Sequence, residues 1–371
     1  TTYPINLYGG APTGTGKLTV GPYSNGATPA SNDVLIKYTT NPQVANKEHY
    51  ANGFPDYLLL DDKTAGTVYL NGRMVSVTYG GTTEYFPNIK EAMAKVTDAN
   101  TEYTVTVRKQ NYEVTDADVA AMKTAAAKKI SFTSKFTLEA LDPLETGESA
   151  GQEVTRTIKI NKDLELGAEY LFTNVKFDYQ SAGKNIFANG KKVTFGKEGD
   201  TTDKGFELVN TTNAPTVFGG GKTTNVQNTE VVVNAGTFKQ IYGGSQTGTV
   251  SVSSNVTING GTFTAAGSQS SMHICGGSQN GTSNNAVVNI TKKPTVTGTL
   301  YVAGTGASGN NSTVNINDTA MSDIAIYGSQ TAGASGTHTI NIPDGNVTAQ
   351  AVKNFSALNV GSTAKATLTV N

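Results

Sequence analysis

The sequence predicts an all-β fold, a parallel β-helix solenoid with a smaller β-rich N-terminal segment, in a chain of 371 residues. Three observations predict it. A short motif returns at a nearly constant interval, apolar and polar residues alternate at period two inside each copy, and no helical period appears in the repeated part. The 41 glycines, with abundant Thr, Asn and Ser, suit a fold of short strands and many turns.

The repeat is clearest in residues 206–371. Residues 231–238 read VVVNAGTF and residues 256–263 read VTINGGTF. The first apolar residues of five successive copies are 25, 32, 26 and 26 positions apart: Val231, Val256, Val288, Val314 and Ile340. A period of this length with one longer step is typical of a solenoid whose turns accept loop insertions.

The pattern inside one copy indicates strands. Val256, Ile258 and Phe263 are apolar, and Thr257 and Asn259 between them are polar. Alternation at period two directs one face of a strand inward and the other toward water. Equivalent strands of successive turns would stack in parallel at about 4.8 Å. We therefore expect the five first apolar residues of the repeat to form an internal column.

Residues 1–85 have no repeat and are predicted to form a small β-rich domain or an elaborate cap. Nine of the 16 tyrosines fall here. Candidate strands at 67–70 and 73–79 are separated by Asn71-Gly72, a strong signal for a β-hairpin. The following domain is assigned to residues 86–371, because the pattern changes there.

A helix is predicted at about 87–97, where Ile89, Met93 and Val96 follow helical spacing and Pro87 stands at a favourable first position. A strand at 103–108 and an Asn111-Tyr112 corner follow it.

At these residues the chain resembles the pectin-lyase-like β-helices. The resemblance implies a right-handed coil whose N-terminal end is plugged by the amphipathic helix, and it covers residues 84–371. The sequence departs from that family at 110–112, which read QNY where the family has Pro-Gly-Thr-Tyr. The resemblance concerns the fold, because this fold carries unrelated functions.

A second helix is predicted at about 115–129 as an insertion on the side of the coil. Thr115 and Asp118 have the spacing of an N-terminal capping pair, and Val119 and Met122 begin an apolar stripe. Strands recur from Ile130 onward. Residues 142–151, with two Glu and one Pro, are predicted to be an exposed loop.

Composition excludes several function classes. A net charge of −1 gives no electrostatic case for nucleic acid or an anionic membrane. No run of about 18 apolar residues exists, so no membrane insertion is predicted in this segment. The single Cys275 excludes a disulfide framework and is interpreted as a small buried hydrophobe. No cofactor or metal is predicted, since His49, His273 and His338 lack metal-ligand spacing and are interpreted as surface or strand-edge residues. A chain that begins at Thr1 is expected to be a mature form or a fragment.

The resemblance implies an enzymatic alternative, a polysaccharide lyase or hydrolase. Hydrolases require clustered acids, and lyases require carboxylate-held Ca²⁺ with a basic residue. In the repeated part, Asp318 and Asp323 are the only close pair of acids, and they are interpreted as turn residues. Carboxylates in 100–204 leave this alternative open.

The most specific recurrent polar feature is a corner that reads YGGSQ at 242–246, CGGSQ at 275–279 and YGSQ at 327–330. One interpretation is a strip that binds a saccharide or a protein. The other, which we favour, is that stacked amides bond between turns and satisfy the corner backbone. The candidate site residues are Tyr242, Gln246, Gln279, Tyr327 and Gln330.

We therefore predict a non-catalytic extracellular module of a bacterial surface protein that projects, binds or self-assembles. The cellular placement is implied by a resemblance to repeat-containing β-helix surface proteins of Gram-positive bacteria. The expected partners are a second copy, through the open strands at the ends of the coil, or a glycan or host surface protein. The alternatives are a pectin-lyase-like carbohydrate-active enzyme and a non-catalytic glycan-binding module.

Overall fold

The protein is described by a computed structural model, in which 47% of the residues are in strands and 6% in helices. The described residues are 5–7, 18–20, 34–38, 50–52, 58–62, 67–139, 142–143, 145–264, 274–296, 300–301, 311–317, 319–329 and 335–370.

The described strands of the N-terminal part are Ile5–Leu7 (β1), Leu18–Val20 (β2), Val34–Tyr38 (β3), Tyr50–Asn52 (β4), Leu58–Asp62 (β5), Thr67–Asn71 (β6), Val75–Tyr79 (β7) and Thr82–Phe86 (β8). Two α-helices follow at Ile89–Met93 (α1) and Asp116–Thr124 (α2), and a 3₁₀ helix lies at Thr211–Asn213.

The strands of the middle part are Glu102–Val107 (β9), Tyr112–Glu113 (β10), Lys129–Thr133 (β11), Lys135–Thr137 (β12), Glu153–Thr155 (β13), Thr157–Ile160 (β14), Leu164–Glu165 (β15), Tyr170–Phe172 (β16), Val175–Tyr179 (β17), Asn185–Phe187 (β18), Lys192–Phe195 (β19), Phe206–Leu208 (β20) and Thr216–Phe218 (β21).

The strands of the C-terminal part are Val226–Val233 (β22), Thr237–Phe238 (β23), Gln240–Tyr242 (β24), Val250–Ile258 (β25), Thr262–Phe263 (β26), Ile274–Cys275 (β27), Asn285–Ile290 (β28), Thr295–Val296 (β29), Leu300–Tyr301 (β30), Asn311–Ile316 (β31), Ala320–Tyr327 (β32), His338–Ile342 (β33), Asn346–Lys353 (β34), Ala357–Val360 (β35) and Lys365–Val370 (β36).

The largest sheet has 12 strands, in the order β35-β33-β31-β28-β25-β22-β19-β16-β11-β9-β7-β8. All of its pairs from β9 to β35 are parallel. Two further parallel sheets run beside it, β10-β14-β17-β20 and β15-β18-β21-β24-β27. From β14 to β21 the chain visits these three sheets in a fixed cyclic order, and one such passage is called a turn below. The arrangement confirms an all-β fold rich in parallel strands and fits a β-solenoid.

The predicted internal column is confirmed. Val231, Val256, Val288, Val314 and Ile340 are direct partners on successive strands, and each is 0% exposed. Closer to the N-terminal end the core becomes aromatic. The rings of Phe172 and Phe195 lie 5.4 Å apart, and those of Phe195 and Phe238 lie 4.6 Å apart. Burying each such ring contributes about 1.5–3 kcal/mol.

The predicted N-terminal capping helix is not supported. Helix α1 has five residues, shorter than the predicted 87–97, and it packs beside the sheet with Ile89, Ala92 and Met93 buried. The end of the large sheet is formed by β7 and β8, which add as antiparallel strands to β9. A strand can satisfy the open backbone groups of β9, whereas a helix has no free backbone groups along its side.

The hairpin predicted at Asn71-Gly72 is wrong. Strand β7 pairs with β8 through Gly80-Gly81, whose φ angles are +54° and +80°. Positive φ at both central residues is the requirement of the favoured two-residue hairpin turn. Asn71 and Gly72 instead connect the sheet β1-β3-β6-β5 to the large sheet.

The domain boundary near residue 85 stays a prediction. The helical insertion at 115–129 also stays a prediction, and in the structure α2 occupies Asp116–Thr124.

Candidate functional site

The corners that follow β21, β24 and β27 are joined to one another through their backbones. The Gly219 N–H donates to the Tyr242 carbonyl at 2.9 Å, and the Gly243 N–H donates to the Cys275 carbonyl at 2.7 Å. One residue further on, the Gly220 N–H donates to Gly244 and the Gly244 N–H to Gly277, both at 3.0 Å. Successive corners therefore continue the hydrogen bonding of the strands around the bend.

Close approach between turns explains why these positions are glycine. A Cβ on Gly243 would lie 2.8 Å from Val256 Cγ2 and closer still to the Gly276 carbonyl oxygen. A Cβ on Gly219 would lie 3.0 Å from Thr229 Cβ and closer still to the carbonyl oxygen of Gly243. The recurring Gly-Gly is thus a packing requirement of stacked backbones.

The residue before each Gly-Gly is buried, namely Phe218, Tyr242 and Cys275. Phe187, Phe218, Tyr242 and Cys275 form one buried cluster, and the Phe218 and Tyr242 rings stack with centroids 5.1 Å apart. Tyr242 is 4% exposed, and this burial raises the pKa of its hydroxyl. Cys275 is fully buried, as predicted, because it continues the same inward column. Tyr327 is half-buried and packs against the cluster.

The glutamines lie at the outer side of the corners. Gln246 and Gln279 are both half-buried, and their N–H groups donate to Gly221 and Ser245 at 3.0 Å. The side chain of Gln279 is hydrogen-bonded to the Tyr242 hydroxyl. Gln330 lies outside the described residues. The structure brings Tyr242 and Gln279 into contact, while a binding role for the five predicted residues stays a prediction.

Buried serines hold the corners from inside, a feature that the sequence analysis missed. The Ser245 N–H donates to Ser278 Oγ at 3.0 Å, and Ser278 Oγ lies 2.9 Å from Ser283 Oγ. All three serines are fully buried. The repeated Ser of the Gly-Gly-Ser motif is the feature of the sequence that could have indicated these buried serines. Its small hydroxyl satisfies backbone groups at a corner that has no room for a larger polar side chain.

Stacked amides are present, but asparagines on the large sheet form the clearest ladder. Asn315 Nδ2 donates to Asn289 Oδ1 at 2.7 Å, and Asn341 donates to Asn315 at 2.8 Å. Asn359 donates to Asn341 at 2.8 Å. These four residues occupy the polar position between two inward-facing apolar residues on consecutive strands. Side-chain hydrogen bonds thus link the outer face from turn to turn.

The three arginines of the chain, Arg73, Arg108 and Arg156, form a second polar cluster. Arg108 Nε donates to Asp142 Oδ1 at 2.7 Å, and Arg108 also pairs with Glu139 at 3.1 Å. The guanidinium of Arg108 lies 4.3 Å from the ring centroid of Phe136.

Arg73 pairs with Asp142 at 3.5 Å, and Arg156 Nη1 pairs with Glu148 at 2.6 Å. The cluster therefore joins the segment that leads into β7, the end of β9 and the loop between β12 and β13.

The prediction that 142–151 is an exposed loop is wrong for its first residue, because Asp142 is 2% exposed. A carboxylate can be buried here because arginine donors replace the lost water. Arg156 also holds the pKa of Glu148 below its usual range, mainly by hydrogen bonding. No period or motif in the sequence connects three arginines over such separations.

The described carboxyls whose pKa departs clearly from the ordinary range all shift downward: Glu84, Asp98, Glu102, Glu148 and Asp200. In each case hydrogen-bond donors favour the ionised form. A general acid for glycoside cleavage needs the opposite shift, so these five are unsuited to that role. Asp318 and the side chain of Asp323 lie outside the described residues.

A groove of about 440 Å³ lies beside the loop 197–205 and is lined in part by Lys197, Asp203, Asn234 and Lys292. The Asp203 carboxylate is already occupied, since it accepts from Thr173 Oγ1 at 2.6 Å and from three backbone N–H groups at 2.7 Å. The buried charge in this groove therefore fastens the loop to the neighbouring turn.

His338 is buried, so the predicted surface position is wrong, and it is the first residue of β33. Its Nδ1 lies 2.8 Å from Ser312 Oγ, while its Nε2 is buried without a hydrogen-bond partner. Burial lowers the pKa of His338. His49 and His273 lie outside the described residues. Within the described part of the chain, no group of three or more His, Cys, Asp or Glu is placed to hold a metal ion.

No helix in the described ranges has both the length and the apolar character to cross a membrane. Comparisons of the chain with protein-family models, with curated proteins and with solved structures found no match.

Proposed function

We propose that the chain is a non-catalytic structural module of a bacterial surface protein, displayed outside the cell, where it projects, adheres or assembles. The observation that supports this most is the use of polar groups between turns. In the asparagine ladder, side-chain amides bond from one turn to the next, and in the Gly-Gly corners the backbone groups do so. Such an arrangement suits a stiff spacer, because each turn is fastened to its neighbours.

The finer architecture belongs to the same proposal. We infer that the parallel sheets close into a right-handed coil, as in the family that residues 84–371 resemble. Crossover connections between parallel strands are right-handed in nearly all proteins, which supports this handedness. The strands from β9 to β35 are separated by nine steps in the large sheet, and at about 4.8 Å per step they extend about 43 Å.

Incubation with polygalacturonate, alginate and host glycans, followed by product detection, tests the non-catalytic character. We expect no products above those of a heat-unfolded sample. Products that grow with the amount of folded protein would overturn the proposal and favour the carbohydrate-active enzyme.

Glycan binding without cleavage is the second candidate, supported by the half-exposed side chains of Gln246 and Gln279 on successive corners. A glycan array with Gln246→Ala and Gln279→Ala would test it. Tyr242→Ala is a poor probe of contact, because that ring is buried and its removal would open the core. Binding that survives both glutamine variants would count against this site.

A further inference from the structure

Among the described strands, β35 is the last of the large sheet, and the internal column is uncovered there. Ile340 and Ile342 on β33 are each 0% exposed, whereas their partners on β35, Leu358 and Val360, are 48% and 47% exposed. Strand β35 is the last strand of the large sheet, so one of its edges has no neighbour among the described strands. A further strand with apolar residues at matching positions would cover both side chains and pair with that edge.

The asparagine ladder ends at the same strand, and it has a direction. Each Asn donates its Nδ2 to the Asn of the preceding turn, and Asn359 makes this bond to Asn341. Among the described residues, no donor reaches Asn359 Oδ1. The strand that continues the stack should therefore carry a side-chain donor between two apolar residues.

Among the described strands, β1 has that sequence and lies at the edge of its sheet. Strand β1 reads Ile5-Asn6-Leu7, the same order of apolar, Asn and apolar residues as Leu358-Asn359-Val360. It is the outermost strand of the sheet β1-β3-β6-β5 and pairs in parallel with β3. No other described strand pairs with the second edge of β1, where a further parallel strand can add.

We propose that β1 of a second copy of this chain adds in parallel to β35, with Ile5 opposite Leu358, Asn6 opposite Asn359 and Leu7 opposite Val360. The order β33-β35-β1-β3 would then be one continuous parallel sheet. This rests on the proposed function of an assembling module. Because the two surfaces differ, the contact is head to tail and repeats into a filament.

The position of β1 in its own copy favours a second copy as the partner. Three residues separate β6, in the sheet of β1, from β7 at the opposite end of the large sheet from β35. Strand β1 is two strands from β6. The end that carries β35 is about 43 Å away along the stack. A strand that keeps its place in the N-terminal sheet therefore meets β35 of another molecule.

Pairwise cysteine trapping tests the register. The Asn6→Cys variant is mixed with the Asn359→Cys variant under mild oxidation. Both variants are first shown to retain the circular dichroism spectrum and melting temperature of the parent protein. Neighbouring strands are about 4.8 Å apart, within the Cα separation of about 4.4–6.8 Å that a disulfide needs. Asn341→Cys is the matched control, since it lies in the same ladder one strand further from the proposed contact, at about 9.6 Å. The native Cys275 is fully buried and does not compete.

We expect a covalent dimer from Asn6→Cys with Asn359→Cys, in at least about tenfold higher yield than with Asn341→Cys. Adding Leu358→Asp to the Asn359→Cys protein should reduce that yield about tenfold, because the contact would bury an unpaired carboxylate. Three outcomes overturn the proposal: no cross-link at any concentration, equal yields from Asn359→Cys and Asn341→Cys, or dimers of Asn359→Cys alone, which would indicate tail-to-tail pairing. Any of these outcomes would overturn the pairing of β1 with β35 but not the proposed structural function. Polysaccharide turnover would instead overturn the proposed function, whatever the cross-linking result.

Discussion

At Gly243 the backbone of one turn lies against that of the next, and the place of a Cβ is already occupied by Val256 and the Gly276 carbonyl. Gly243→Ala should lower the free energy of unfolding by about 1–3 kcal/mol, the usual cost of overpacking. Thr257→Ala, on the outer face of the same turn, should change it by less than about 0.5 kcal/mol. Chemical denaturation measures both. Equal effects would mean that the corner can widen without cost.

His338 should make stability depend on pH below about 6.5, its ordinary pKa. The pKa of His338 is lowered by burial in the folded protein, so the unfolded chain binds more protons as the pH falls from neutrality. Stability should therefore decrease from pH 7.5 to pH 5.5.

Replacement by Asn, which can keep a bond to Ser312, should reduce this decrease. Denaturation of the parent and His338→Asn at both pH values measures the difference, in which the contributions of His49 and His273 cancel. The same decrease in both proteins would contradict the expectation.

At the scale of elements, the arginine cluster fastens the loop between β12 and β13 to the neighbouring strands. Asp142→Asn keeps the size of the side chain but removes the charge between Arg73 and Arg108, both of which pair with it. Breaking a buried ion pair from one side costs about 3–5 kcal/mol.

The control is Glu153→Gln, which breaks the exposed pair with Lys135 at 3.0 Å and should cost less than about 1 kcal/mol. Denaturation and limited proteolysis of the loop would both report the effect of Asp142→Asn. A loss as small as that of the control would show that water replaces the arginines.

Elements with a repeated pattern could be predicted from the sequence. Elements whose pairing depends on which distant strands are available could not. The apolar column from Val231 to Ile340 follows from its spacing alone, because one register suits every turn. Asn71-Gly72 and Gly80-Gly81 are both good hairpin sequences. The first does not form a hairpin because β6 already pairs with β3 and β5 on its two edges. The inward turn of Tyr242 was not predictable either, since its apolar partner Phe218 comes from the preceding corner.

At the scale of the whole molecule, the two ends of the large sheet differ. At one end the antiparallel hairpin β7–β8 covers β9, and Arg73 and Tyr85 of this region bind Glu139. At the other end β35 leaves Leu358 and Val360 half-exposed. Because each turn contacts only its neighbours, we expect the molecule to open from the β35 end rather than from the hairpin.

Hydrogen exchange measured by mass spectrometry tests this polarity. Amides of Ala357–Val360 should exchange at least about tenfold faster than those of Asn285–Ile290, which has a strand on both sides. Raising the protein concentration should slow exchange at Ala357–Val360 selectively if a second copy covers that edge, because binding protects only the strand it pairs with. Uniform exchange along the large sheet would mean that the turns open as one unit, and the uncovered column at β35 would then impose no local instability.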